Sequence, residues 1–206
     1  MGRPVLPEGP DCCGFPMTLP PIPPQYLEIG VKPGEDVWVF GYGSLMWRPG
    51  FTFAEKHIAE LRGYHRSFCV YSFRHRGTRQ CPGAVLGLDR GGSCKGMAYR
   101  VTPDQAGPAL EYLWEREMMN RVYAPRLLPV RWPGGQARAV AFVVLRDHEQ
   151  YCGRLPLPEL AGLIRQGIGE SGRNTDYLAS TVEHLRELGI HDRSLEALCR
   201  EVGRGG

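Results

Sequence analysis

Residues 37–47 read VWVFGYGSLMW, an apolar run that breaks into glycine, tyrosine, glycine and serine. Val37 to Phe40 are β-branched or aromatic, which suits a buried strand. The glycines that follow let a backbone turn sharply or approach another group closely. A dinucleotide-binding fingerprint needs a third glycine, and Met46 stands in its place. No GK[ST] phosphate loop occurs, and Ser44 lacks the GxSxG setting of a hydrolase nucleophile. Two readings stay open. Either the strand ends in a plain turn, or it ends in a loop whose N–H groups face an anion or a carbonyl oxygen.

Working outward from this strand, the chain continues in short strands. Tyr64 to Phe73 reads as one. Ala84 to Leu88 and Gly96 to Val101 read as a hairpin about Gly91-Gly92. Leu127 to Trp132 and Ala139 to Leu145 read as a second hairpin about PGGQ, and AVAFVVL is the most strand-like run of all. One helix interrupts them. Thr102-Pro103-Asp104-Gln105 gives a threonine cap, proline at the first helical position and glutamine three after the cap, so a helix runs to about Met119. After Pro158 the pattern turns helical, over Glu159 to Gln166, from Asn174 to just before Gly189, and over Ser194 to Val202. Strands first and helices last predict an α+β fold, a small mostly antiparallel β-barrel with flanking helices.

Residues 1–35 stand apart from this pattern. They hold half of the 18 prolines, including PPIPP at Pro20 to Pro24. Proline removes backbone donors and biases the chain to extended forms. The segment reads as a proline-rich arm, either extended or draped over the rest through Phe15, Leu19, Ile22 and Tyr26. Residues 36–206 then form a single domain.

Composition excludes several classes. The net charge of +3 is too mild to argue for a nucleic-acid partner. No apolar run approaches the roughly 18 residues of a membrane helix, and the first residues form no signal peptide. The seven cysteines include no CxxC pair and the six histidines no HExxH, so no metal or cofactor is expected. Scattered thiols of odd number favour a reducing compartment, the cytoplasm. Nothing here sets the oligomeric state.

The helix from Thr102 holds an anomaly. At about 100° per residue, Ala106, Leu110, Leu113 and Glu117 fall on one stripe. Three are apolar and should face the core, and Glu117 continues them inward. Glu111 and Glu115 share a different, polar face. A carboxylate drawn out of water has a raised pKa, which a general base near neutrality needs. The alternatives are an ordinary ion pair, with Arg121 or Arg100, or exposure in a frayed last turn.

VFGYGSLMW, GYHRSFCVYS, PGAVLGLDRGGSCKGMAYRV, LWEREM, GRNTDYL and LGIHDRSLEAL follow one another in the chain. Together, from about Val37 to Val202, they resemble the ChaC-like family of γ-glutamylcyclotransferases, glutathione-specific type. The resemblance implies conversion of glutathione to 5-oxoproline and cysteinylglycine by attack of the substrate's α-amine on its own γ-carbonyl. It implies Glu117 as the catalytic acid and base, with no metal or cofactor. It implies a substrate loop at Tyr42, Gly43, Ser44 and Leu45, continued by Met46 and Trp47, and a further active-site tyrosine at Tyr177. The chain departs from the pattern at a basic loop of Arg74, His75, Arg76 and Arg79, which either is solvated or meets the glycine carboxylate of glutathione. Arg173 and Asn174 replace a different spelling and carry little weight. A cyclotransferase for another γ-glutamyl amine, and a non-catalytic γ-glutamyl-binding module, remain as other readings.

Overall fold

The computed structural model describes residues 19–204. Five strands close into a barrel in the order β1-β3-β2-β4-β5. They are β1 (Val37–Gly41), β2 (Glu55–Ser72), β3 (Gly83–Val101), β4 (Tyr123–Trp132) and β5 (Gly135–Val144). Every neighbouring pair is antiparallel except β1 and β5, whose parallel contact, Trp38 opposite Ala139, closes the ring. The expected α+β barrel with flanking helices is the architecture found. β4 and β5 form the expected second hairpin, turning between Trp132 and Gly135.

The first expected hairpin is corrected. Residues 83–101 are one continuous strand, and its partner is β2 rather than itself. β2 also begins at Glu55, nine residues before the expected Tyr64. Pairing runs from Glu55 opposite Arg100 to Ser72 opposite Gly83, with a register shift between Arg62 and Tyr64. Gly63 there has φ 86°, facing Gly91 at φ 103° and Gly92 at φ 69°. Glycines on both strands bend the ribbon together without ending it. A glycine pair read along one strand looks like a turn; only the partner shows it to be a shared bend.

The helices cover two sides. α2 (Pro103–Glu117) lies against β1, Val101 and Phe142, in a core with Leu110 and Leu113 at its centre. Thr102 caps α2 with no side-chain hydrogen bond, and the Gln105 amide bonds Asp104 instead, so the expected capping box is not formed. On the other side, α3 (Leu157–Gln166), α4 (Asn174–Glu187) and α5 (Arg193–Arg204) cover the barrel through Ile164, Leu178, Leu185 and Leu198. Two residue pairs, β6 (Ile168–Gly169) and β7 (Gly172–Arg173), make a small hairpin between α3 and α4.

The described part of the arm is packed. Pro20 and Pro21 pass so close to Gly107 of α2 that a Cβ there would stand 2.6 Å from the Pro21 carbonyl oxygen. The single turn α1 (Pro24–Leu27) then carries Tyr26 into the core, fully buried, while Ile22 is nearly so and Leu19 is exposed. Phe15 lies outside the described residues.

Asn174 joins α4 to the barrel and is fully buried. Its Nδ2 donates to the Ala84 carbonyl at 2.8 Å, and its Oδ1 accepts from the Ala84 N–H at 2.7 Å. Leaving a buried backbone group without a partner costs about 1–3 kcal/mol. Asn174→Ala is therefore expected to lower the unfolding free energy by about 2–4 kcal/mol, read from the urea midpoint at constant m value. An unchanged midpoint would show that water replaces the amide.

Candidate active site

The glycine loop is held from below. The buried Arg66 guanidinium donates through Nε to the Tyr42 carbonyl and through Nη2 to the Lys95 carbonyl at 2.6 Å. Tyr99 donates its hydroxyl to the carbonyls of Leu45 and Met46, at 3.0 and 2.8 Å. Above these anchors Ser44–Met46 make one 3-10 turn, with the Met46 N–H on the Gly43 carbonyl at 2.8 Å. The N–H groups of Ser44 and Leu45 precede that bond and have no acceptor within the turn. Gly43 fits because a Cβ there would meet Leu86 at 3.3 Å.

Glu117 ends α2 opposite this loop. Its side chain is 18% exposed, and its Oε1 lies 3.3 Å from the Arg116 Nε. Arg116 also donates to the Ser44 hydroxyl at 2.8 Å, to the Arg48 carbonyl at 2.8 Å and to the Tyr112 hydroxyl at 2.9 Å. One guanidinium thus fixes the carboxylate and the serine relative to each other. Burial raises the Glu117 pKa, and the Arg116 charge opposes this only in part. Glu111 and Glu115 are exposed, as their helical face requires.

Between loop and helix lies a cleft of about 80 Å³, floored by Phe142 and walled by Tyr42, Ser44, Glu117, Tyr123 and Tyr177. It opens into a larger cavity of about 660 Å³ that shares Ser44, Glu117, Tyr123 and Tyr177. Tyr123 donates to the Leu86 carbonyl at 2.7 Å. Burial pushes the Tyr177 hydroxyl up to about 12, with a hydrogen bond from the Leu86 backbone pulling the other way. Burial also raises the pKa of the Tyr42 and Tyr123 hydroxyls. These phenols stay protonated at neutral pH and act as neutral hydrogen-bonding groups.

The outer cavity has a basic rim. The loop of Arg74 to Arg79 is fastened to the β6–β7 hairpin: Glu170 and Ser171 donate backbone N–H groups to the Arg74 and His75 carbonyls, at 2.9 and 3.0 Å. Arg74 pairs with Glu170 at 2.8 Å, and Arg79 lies 3.8 Å from Glu149, so both are occupied at the surface. Arg76 differs. Its Nη1 donates to the Ser171 and Arg173 carbonyls, and its guanidinium carbon stands 5.1 Å from the centre of the Tyr177 ring. Among the described residues no carboxylate lies within ion-pair distance of it. His184 of α4 closes the opposite wall, its ring stacked 4.5 Å from that of Trp47.

A family model described as ChaC-like protein matches residues 37–205. The chain belongs to the ChaC-like family. This ChaC-like chain is 36% identical over 176 residues to the glutathione-specific γ-glutamylcyclotransferase of Escherichia coli, covering 84% of this chain and 76% of that protein. It is 32% identical over 195 residues to the human glutathione-specific γ-glutamylcyclotransferase 1, covering 91% of this chain and 88% of the relative. The crystal structure of a yeast γ-glutamyl cyclotransferase specific to glutathione has the same fold, with TM-score 0.73, 24% identity and coverage of 82% of this chain and 96% of that one.

The sequence-predicted residues of the ChaC-like chain are mostly brought together. Tyr42, Gly43, Ser44, Leu45, Glu117 and Tyr177 all line the inner cleft. Trp47 lines the outer cavity. Met46 lines neither, because the tight turn rotates its side chain into the barrel core, where its sulfur lies 3.7 Å from Arg66. The expected partners Arg121 and Arg100 are also replaced: Arg100 pairs with Asp36 and Glu55, and Glu117 is held by its own neighbour. Sequence reading missed Arg116, Tyr123 and Arg66. Arg116 is rotated off the inward stripe, and only its long side chain returns it to the site. Tyr123 and Arg66 sit on strands where nothing in their spacing marks them. Among the described residues no cluster of ligands suits a metal ion, and no helix is long and apolar enough to cross a membrane.

The electrostatics give a measurable sign. Carboxyl titration of Glu117 by NMR should show a midpoint above the ordinary value of about 4.3, and Arg116→Gln should raise it further. A carboxyl whose folded pKa exceeds its unfolded one stabilises the fold at low pH, and that contribution is lost as pH rises through the folded value. Glu117→Gln should therefore be at least as stable as wild type at pH 7, measured by thermal unfolding. A clear loss of stability would mean that the carboxylate is stabilised overall by Arg116.

Proposed function

We propose that this protein is a glutathione-directed γ-glutamylcyclotransferase, with residues 36–206 as its catalytic domain. The carrying observation is Glu117, a partly desolvated carboxylate in a cleft facing the glycine loop and tied to Ser44 through Arg116. In this reading the γ-glutamyl group enters the cleft and the rest of glutathione lies in the outer cavity. Glu117 takes a proton from the substrate's α-ammonium. The freed amine attacks the γ-carbonyl carbon and forms the five-membered ring. Backbone N–H groups at Ser44 and Leu45 stabilise the oxyanion of the tetrahedral intermediate. Glu117 passes its proton to the amide nitrogen, the C–N bond breaks, and the ring nitrogen gives its second proton to the departing amine, so that 5-oxoproline leaves as a neutral lactam and cysteinylglycine as an ammonium. Atoms and charge balance without water, metal or cofactor.

The remaining roles follow from chemistry. Tyr42, Gly43, Ser44 and Leu45 with Tyr177 surround the γ-glutamyl moiety, and Trp47 borders the leaving group. Arg76, stacked on Tyr177 with no carboxylate of the described residues within ion-pair distance, suits the glycine carboxylate of the substrate, since burial partly desolvates its charge. Met46 supports the loop from beneath. The five described cysteines are free thiols, which suits the reducing cytoplasm.

Incubation with glutathione should yield 5-oxoproline, and Glu117→Gln should lower kcat by about 10²–10⁴-fold, the usual contribution of a positioned acid–base group. Ser44→Ala should fall less. No 5-oxoproline from folded wild type would move the reading to other γ-glutamyl amines, and failure there to a binding module. Arg76→Gln should raise KM for glutathione far more than it lowers kcat. Equal KM values would return Arg76 to a purely structural place beside the hairpin.

A further inference from the structure

Tyr26 comes from the proline-rich arm, ahead of the residues that match the family model. Its ring is fully buried, edge-on to Trp114 with centroids 6.1 Å apart. Trp114 sits three residues before Glu117, just under one helical turn, so neighbouring positions of α2 face Tyr26 and the cleft. The Tyr26 hydroxyl is the one buried side-chain polar atom among the described residues that has no hydrogen-bond partner. Such a group is costly relative to a paired one. Phenylalanine would fill the same space without that cost. The hydroxyl is also within the field of the Glu117 charge, which adds to burial in raising its pKa.

We propose that Tyr26 is a positioning residue for Glu117, its hydroxyl poised to hydrogen-bond the Glu117 carboxyl as protons move on and off it. A phenol suits both states, since it donates to a carboxylate and accepts from a carboxylic acid. Arg116, by contrast, has only donors and favours the ionised form alone. The arm would thereby supply a side chain to the back of the acid–base centre that the barrel and its own helices do not provide. This rests on Glu117 being the acid–base group. The charged and titratable groups that act with it are Arg116 on α2, Tyr42 after β1, Tyr123 on β4 and Tyr177 on α4. None of these shares the Tyr26 position beside Trp114.

The test is Tyr26→Phe beside Glu117→Gln, with kcat and KM for glutathione measured across pH and unfolding followed thermally. The expected result for Tyr26→Phe is a kcat at least five-fold lower, KM nearly unchanged and Tm equal to or above wild type. Its acid limb of kcat should lie at higher pH, because the bond donated to the charged carboxylate is the stronger of the two and is the one lost. Wild-type kcat with the acid limb in place would overturn the proposal, whatever the Tm. So would a lower kcat with a lower Tm and an unmoved limb, which would make Tyr26 a packing residue. If Glu117→Gln retains wild-type turnover, the acid–base assignment itself fails. If Glu117→Gln is inactive while Tyr26→Phe is unaffected, only the role of Tyr26 fails.

Discussion

The site depends on one guanidinium. Arg116 touches Glu117, Ser44, Tyr112 and the backbone at Arg48, and so joins the end of α2 to the loop after β1. Without that bridge the carboxylate and the loop would belong to two elements that meet only through the core. Its planar fork is suited to this, because several donors leave one rigid group in fixed directions. Space for its partner Tyr112 is kept by Gly50, where a Cβ would stand 2.1 Å from the Tyr112 hydroxyl oxygen and the backbone has φ 75°.

Two opposed demands meet at Glu117. Burial raises its affinity for a proton, and the neighbouring arginine lowers it. A carboxylate that only had Arg116 would be a weaker base; one that was only buried would hold its proton more tightly. The phenols around it contribute a third influence. They are held neutral by their own burial, so they surround the carboxylate with hydroxyls and add no charge. This division between one charged partner and several neutral ones suits a group that must both take and return a proton.

The legible part of the fold was carried by local signals. The run AVAFVVL is buried from Ala139 to Val144, with Leu145 half-buried, and the proline-started helix begins at Pro103 as read. Glu117 was found because a 3.6-residue repeat reports direction, and a charged residue on an apolar stripe is conspicuous. What stayed hidden was non-local. The bend at Gly91 and Gly92 is defined by Gly63 on another strand. Tyr123 enters the cleft through barrel curvature, and Met46 leaves it through one step of a tight turn. Arg76 stood in a basic loop that the sequence left either solvated or facing the glycine carboxylate of glutathione, and only the hairpin at 168–173 shows it held beside Tyr177. Side-chain length also defeats periodicity, as Arg116 shows.

The parallel contact between β1 and β5 has a consequence for how the protein comes into being. β2 with β3 and β4 with β5 are each formed by neighbouring stretches of chain, but Trp38 must find Ala139 across most of the domain. Pairings so distant in sequence are reached late, after nearer ones have shortened the effective loop. The glycine loop hangs from β1, and Glu117 hangs from a helix threaded between β3 and β4. A chain that had regained both hairpins and all its helices, and had yet to seat β1 between β3 and β5, would contain every residue of the site and no site.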